Sequence, residues 1–230
     1  MCGQPVQPPR LTLRGILANV ARDGFNLERG FLATLVGLSV RPGAAIREYL
    51  GGRTLPYTNP LKYLLVWVAL ATFATAGLDI VGRYVELMLP DPDAPESQAV
   101  MPFFDIVTRW YNLVLLLGVP FLAVFSRLLF RRAGFNLAEH LVFNGYVYAH
   151  QSALFLLSVP VILLWPGTLA WVMAAYIFAI GAYYIWACVD FFQVGWMRGI
   201  VLANLVMVLA YAVYYLAIFV AASGAERIAG

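Results

Sequence analysis

The sequence predicts an all-α fold of the polytopic membrane type: about five transmembrane helices preceded by short interfacial amphipathic helices. Three observations predict it. Of the 230 residues, 62% are hydrophobic and 12% charged, and the mean hydropathy is +0.79, outside the range of soluble globular chains. The apolar residues gather into runs of about 20, the length at which a helix rising about 1.5 Å per residue crosses a hydrocarbon core about 30 Å thick. The basic residues fall mostly on alternate connections between those runs.

The opening stretch is polar, with Pro5, Pro8, Pro9 and Arg10, and lacks the form of a secretory signal peptide. The N-terminus is therefore expected to stay on the side of synthesis. Leu13, Ile16, Leu17 and Val20 then recur at helical spacing, with Arg14, Asn19, Arg22 and Asp23 on the other face, which predicts an amphipathic helix. In a second one Leu27, Phe31, Leu35 and Leu38 line up while Glu28, Arg29 and Thr34 lie apart from them. It is too short and too charged to span, so it is expected to lie along the membrane surface. Arg41-Pro42-Gly43 ends that helix, and Pro42 suits the first position of a third, which carries Ile46, Tyr49 and Leu50 and stops at Gly51-Gly52. Residues 1–60 thus read as a cytoplasmic interfacial helical region and 61–230 as a transmembrane helical bundle.

Asn59 as N-cap and Pro60 at the first helical position open the first span, 61–81. A polar stretch follows, with Glu86, Asp91, Asp93, Glu96 and Asp105, and reads as an acidic loop that can hold a short interfacial helix. The later spans are expected at 108–130, 139–165, 168–189 and 199–222, the third opened by Asn136 and turned into the fourth by Pro166-Gly167. A five-span count puts Arg10, Arg14, Arg22, Arg29, Arg41, Arg47, Arg53, Lys62, Arg127, Arg131, Arg132 and Arg198 on one side and leaves Arg83, Arg109 and Arg227 for the other. That asymmetry predicts a cytoplasmic N-terminus and a C-terminus on the opposite side.

A charged side chain at the centre of a span costs about 2.5–3.5 kcal/mol on insertion scales, so polar residues within the runs ask for an explanation. Most lie in the third span, where Glu139, His140, Asn144, Tyr146, His150 and Gln151 form a candidate polar seam on two adjacent stripes. Glu139 sits at N3 behind Asn136, the arrangement of a capping box, and His140 reads as an interfacial anchor or packing residue. His150 comes about 16 Å further along the axis, near mid-membrane, where it either bonds to a neighbouring helix or serves a proton relay or head-group contact. Arg41, Arg47, Arg53 and Lys62, beside Tyr49 and Tyr57, make a second candidate: topogenic charge with snorkelling stems, or recognition of anionic lipid phosphates. Asp190 is expected to pair with Arg198 or with an arginine of the loop before the third span, and Pro120 and Pro160 are read as accommodated kinks.

Membrane lipids are the expected partners, and no cofactor or metal is expected. His140 and His150 are too few for a metal-dependent lipid oxidase or desaturase, and no Ser-His-Asp order or glycine-rich phosphate loop occurs. Cys2 and Cys188 lie near opposite ends of the chain and indicate no disulfide framework. Nucleic acid is disfavoured, because the basic residues interleave with apolar faces.

Several strings resemble a known family: Arg10-Leu11-Thr12-Leu13, Arg29-Gly30-Phe31-Leu32-Ala33-Thr34-Leu35, Pro42-Gly43, Arg47-Glu48-Tyr49-Leu50, Gly52-Arg53, Tyr57-Thr58-Asn59-Pro60 and, at the third span, Glu139-His140. The pattern is similar to the bacterial membrane proteins grouped as domain of unknown function 3667. The resemblance implies a multipass protein of a bacterial inner membrane and implies no activity. Members often carry a zinc-ribbon-like stretch ending in Cys-Gly-Gln, of which Cys2-Gly3-Gln4 remains here. One thiolate cannot supply the four ligands of a structural zinc. Either the ribbon has been lost or the chain begins further upstream. Three functional readings stand at this point: a non-enzymatic bundle that binds, senses or transports a lipid or small amphiphile; a membrane scaffold or assembly factor; and an intramembrane enzyme using Glu139 and His150 as acid and base.

Overall fold

The computed structural model describes residues 30–89, 91, 94, 97–98, 100–101, 103–104 and 111–229. The first predicted amphipathic helix, around residues 13–20, lies outside the described residues, as do 108–110 at the start of the second predicted span. All regular structure among the described residues is helical. In chain order the helices are α1 (Phe31–Val40), α2 (Pro42–Leu50), α3 (Pro60–Leu78), α4 (Ile80–Met88), α5 (Tyr111–Leu129), α6 (Leu137–Leu164), α7 (Leu169–Phe192) and α8 (Trp196–Ala229).

Local chemistry sets most of the ends. Pro42 occupies the first turn of α2 and Pro60 that of α3, where a missing N–H costs nothing. The Asn59 side chain accepts the N–H of Leu61 at 3.0 Å. Asn136 and Glu139 form a complete capping box at the start of α6: the Glu139 N–H donates to Asn136 Oδ1 at 3.0 Å, and the Asn136 N–H donates to Glu139 Oε2 at 2.6 Å. The first predicted span ends earlier than hydropathy suggests. Asp79 adopts a left-handed conformation, φ 47°, which stops α3 and starts the short amphipathic α4 inside the stretch expected to be span and loop.

Among the described residues four helical stretches are long and apolar enough to cross a membrane: Pro60–Leu78, Leu137–Leu164, Pro166–Phe192 and Trp196–Val220. Helix α5 adds 19 residues, its apolar part being Leu116–Leu129. Helix α6 is the centre of the bundle, with half of its apolar stretch buried against 22–28% in α3, α7 and α8. Its neighbours alternate in direction. Tyr63 near the start of α3 meets Tyr146 of α6, while Ala71 and, just beyond α3, Ile80 cluster with Phe155 and Ile162, so α3 and α6 run parallel. Ser126 near the end of α5 meets His140, and Tyr184 near the end of α7 meets Asn144, so both run antiparallel to α6.

The N-terminal hairpin of α1 and α2 is part of this core. Leu38, Ala45, Ile46 and Tyr49 share one buried cluster with the spans. The inward face of α1 carries Phe31 and Leu38 of the expected stripe, with Leu38 buried and Phe31 packed against the core, but Thr34, expected apart from that stripe, is buried with them, while Leu32, Val36 and Val40 point outward. Thr34 is tolerated inside because its hydroxyl donates to the Gly30 carbonyl at 2.7 Å and accepts the N–H of Thr58 at 2.8 Å. Gly30 itself holds φ 98°, with the Tyr57–Thr58 backbone close against it.

Candidate functional site

Helix α6 distributes its polar residues among three separate surroundings instead of one seam. On the side facing α5 and α7, Ser126 Oγ donates to the Ala123 carbonyl at 3.1 Å and lies 2.9 Å from His140 Nδ1. Asn144 donates from Nδ2 to the same Ser126 oxygen at 3.0 Å and to the His140 carbonyl at 2.8 Å, and its Oδ1 accepts the Tyr184 hydroxyl at 3.0 Å. The His140 ring packs against Phe135 and Phe192, and its Nε2 has no hydrogen-bond partner among the described residues.

On the side facing α1 and α3, His150 is buried with Ser39 Oγ 3.3 Å from Nε2 and Tyr63 Oη 3.3 Å from Nδ1, and the Tyr183 ring stacks on it at 5.1 Å. Two hydroxyls serve the one donor and one acceptor of a neutral imidazole. Tyr183 in turn donates to the Leu38 carbonyl at 3.0 Å, so this cluster fastens α1 to three spans. Tyr146, a turn earlier, donates to the Thr58 carbonyl and packs between Tyr49 and Tyr63. His150 lies beside Tyr63, within the first turn of α3, because α6 has 28 residues and, at about 42 Å, its first turns extend beyond the start of α3.

Gln151 faces a third neighbourhood, its Nε2 donating to the Ile180 carbonyl at 3.0 Å. Glu139 stays in the capping box, about 16 Å along the helix axis from His150. An acid and a base so separated cannot act on one atom, and the pairing that an intramembrane enzyme would need is not assembled. Among the described residues no group of three or more His, Cys, Asp or Glu side chains is placed to hold a metal ion.

The basic residues divide as well. Arg47 is bound to the end of α7. It donates to the Asp190 and Phe191 carbonyls, the latter at 3.1 Å, and to Asp190 Oδ1 at 3.3 Å. Asp190 Oδ2 accepts the Ala44 N–H at 3.1 Å, so each residue caps the other's helix. Asp190 thus pairs with Arg47, not with Arg198 or the loop before α6. The two helix ends meet backbone to backbone at Gly43, where a Cβ would fall 2.6 Å from Phe191 Cα.

Arg41 and Arg53 converge instead on Glu48. Arg41 donates to Oε1 at 2.7 Å, while Arg53 and the Tyr57 phenol donate to Oε2 at 3.2 and 2.9 Å. The phenol hydrogen bond and the two guanidiniums hold the Glu48 carboxyl below the usual glutamate range, against the opposing effect of its partial burial. Burial and the bond to Glu48 push the Tyr57 phenol up, so it keeps its proton. These residues rim a cleft of about 320 Å³ whose other wall is Ala33, Val36, Gly37 and Val40 of α1. Lys62, in the first turn of α3, is not among the residues lining it.

Sequence reasoning singled out Arg41 and Arg53 but missed Glu48 as the carboxylate between them, and missed Ser39, Tyr63, Ser126, Tyr183 and Tyr184 as partners of the α6 polar residues. A serine or tyrosine in an apolar run signals that a partner is needed. It carries no sign of which helix supplies one.

The fold and these clusters define a polytopic helical membrane protein whose N-terminal hairpin is built into the bundle. Residues 28–72, covering α1, α2 and most of α3, match the family model described as Protein of unknown function (DUF3667). The Glu139-His140 part of the resemblance lies beyond the matched residues. No curated protein and no solved structure matches the chain.

Proposed function

We propose that the chain crosses the membrane five times with its N-terminus in the cytoplasm, and that it binds the phosphate of an anionic lipid in the cleft between α1 and α2. Five crossings accord with the alternating directions of α3, α5, α6 and α7 and with the length of α8, and a cytoplasmic N-terminus accords with the arginine asymmetry. The observation that carries the lipid reading is the convergence of Arg41 and Arg53 on one carboxylate beside the apolar wall of Val36 and Val40. Two guanidiniums already aligned by Glu48 present planar donor forks suited to phosphate oxygens. The apolar wall beside them suits the first carbons of an acyl chain. Arg47 has no part in this, since its guanidinium is committed to the end of α7.

The test is binding of a short-chain anionic phosphodiester lipid, against its zwitterionic counterpart, to full-length protein in neutral nanodiscs. At about 1 kcal/mol per basic residue, Arg41→Gln with Arg53→Gln should weaken anionic binding by about 2 kcal/mol, roughly 30-fold, and leave zwitterionic binding unchanged. Equal anionic affinity in wild type and double variant would refute the assignment.

A further inference from the structure

The bundle encloses a second space, remote in composition from the arginine cleft. A cavity of about 430 Å³ is bounded by α3, α4, α6, α7 and α8 together with Phe104, and shares no lining residue with the cleft. Among the described residues no Asp, Glu, Lys, Arg or His side chain lines it. Several polar residues that do line it have turned their donors to backbone carbonyls: Thr75 Oγ1 to Ala71 at 2.9 Å, Ser152 Oγ to Tyr148 at 3.1 Å, Gln151 Nε2 to Ile180 at 3.0 Å and Tyr176 Oη to Gln151 at 3.2 Å. Much of what faces the space is carbon, including the rings of Phe155 and Tyr176, packed edge to face at 5.4 Å.

Such a lining gives water few partners, and waters in buried sites need two to four each. A void of this size left empty would forfeit packing on the scale of a domain's net stability. Its chemistry admits hydrocarbon. It equals about 14 water-sized volumes at about 30 Å³ each, the order of one lipid chain. Access is from the side. Ile177 lines the cavity and is also 54% exposed, on the helix that presents Trp171 and Phe178 outward at 78% and 79%. On a spanning helix, that outward surface meets acyl chains.

We infer that this cavity is a binding site for a single hydrocarbon chain drawn laterally from the bilayer past Ile177. The amphipathic α4, which contributes Ile80, Val81, Tyr84 and Val85 to the lining, closes it along one side. The inference does not depend on phosphate binding at the arginine cleft, because a chain with an uncharged head satisfies it.

Full-length protein in nanodiscs of zwitterionic phosphatidylcholine, doped either with the same lipid bearing a diazirine near the end of one acyl chain or with a diazirine-bearing isoprenyl alcohol, would be photolysed and the labelled residues mapped. The expected result is label on Phe155, Met173 or Tyr176 with at least one probe, the stronger probe identifying the source of the chain. Ala71→Phe, which fills the space from α3, should remove most of that label and spare the label on Trp171 and Phe178. Wild-type mapping decides by itself if that variant does not accumulate. Label confined to Trp171, Phe178 and other outward residues with both probes would overturn the inference, as would cavity label that persists in a well-folded Ala71→Phe protein.

Discussion

Gly43→Ala sets two effects of opposite sign against each other. In a helix, alanine is favoured over glycine by about 1 kcal/mol, so propensity alone predicts a more stable protein. The junction of α2 and α7 predicts the reverse. The added Cβ would stand 2.6 Å from Phe191 Cα, where ordinary contact begins near 3.4 Å, and the obstacle is backbone that cannot rotate away. Overpacking of this kind costs about 1–3 kcal/mol. Moving the end of α7 aside also stretches the Ala44–Asp190 and Arg47–Phe191 hydrogen bonds, charge-assisted contacts each worth about 1.5–3 kcal/mol, of which we count about 2 kcal/mol as lost. Taking about 2 for overpacking and 2 for the caps against about 1 gained, the net is a loss of about 3 kcal/mol. The assay is reversible unfolding in mixed micelles, followed by circular dichroism. Gly181→Ala on α7 is the control: nothing lies within 4 Å of its would-be Cβ, and it should be neutral or stabilised by up to about 1 kcal/mol. If the two variants shift stability alike, the backbone contact at Gly43 does not hold the hairpin to the bundle.

Asn144→Ala leaves Ser126 and the Tyr184 hydroxyl each short of a partner in the centre of the bundle and should cost about 2 kcal/mol in the same titration. Ser152→Ala removes only a bond to its own helix at Tyr148 and should change stability by well under 1 kcal/mol. Glu48→Gln frees the two arginines of a competing carboxylate and should tighten anionic lipid by about 1 kcal/mol, roughly fivefold. The pH dependence follows from the lowered Glu48 value. A carboxyl whose folded pKa is depressed contributes stability in full above its unfolded value and loses it as the pH falls through the folded one. The affinity gap between wild type and Glu48→Gln should therefore hold at neutral pH and close only once the pH falls below the usual glutamate range, measured with a phosphodiester lipid that stays ionised there.

Much of the fold was legible in the residues because the signals are local. Apolar run length gave the long helices to within a few residues, and Asn59-Pro60, Pro42 and the Asn136–Glu139 pair marked helix starts that the structure reproduces. Where the reading failed, the cause was a single backbone conformation, as at Asp79, or a distant partner, as for Asp190 and Arg47. Of the candidate sites, Arg41 and Arg53 could be proposed from charge near a span, but the carboxylate that gathers them could not.

The sequence by itself determined that this chain needs a bilayer and where its helices lie, because those follow from length, hydropathy and capping along one stretch of chain. It could not say which polar residues turn inward beside the apolar ones. In water the buried face of a helix is the apolar one; in a bilayer both faces are apolar, and so Leu32 and Val36 of α1 point out while Thr34 points in. Only tertiary packing assigned those faces. It thereby decided that His150 joins α6 to α1 and α3, that His140 belongs with Ser126 and Asn144, and that a carbon-lined space remains beneath α4.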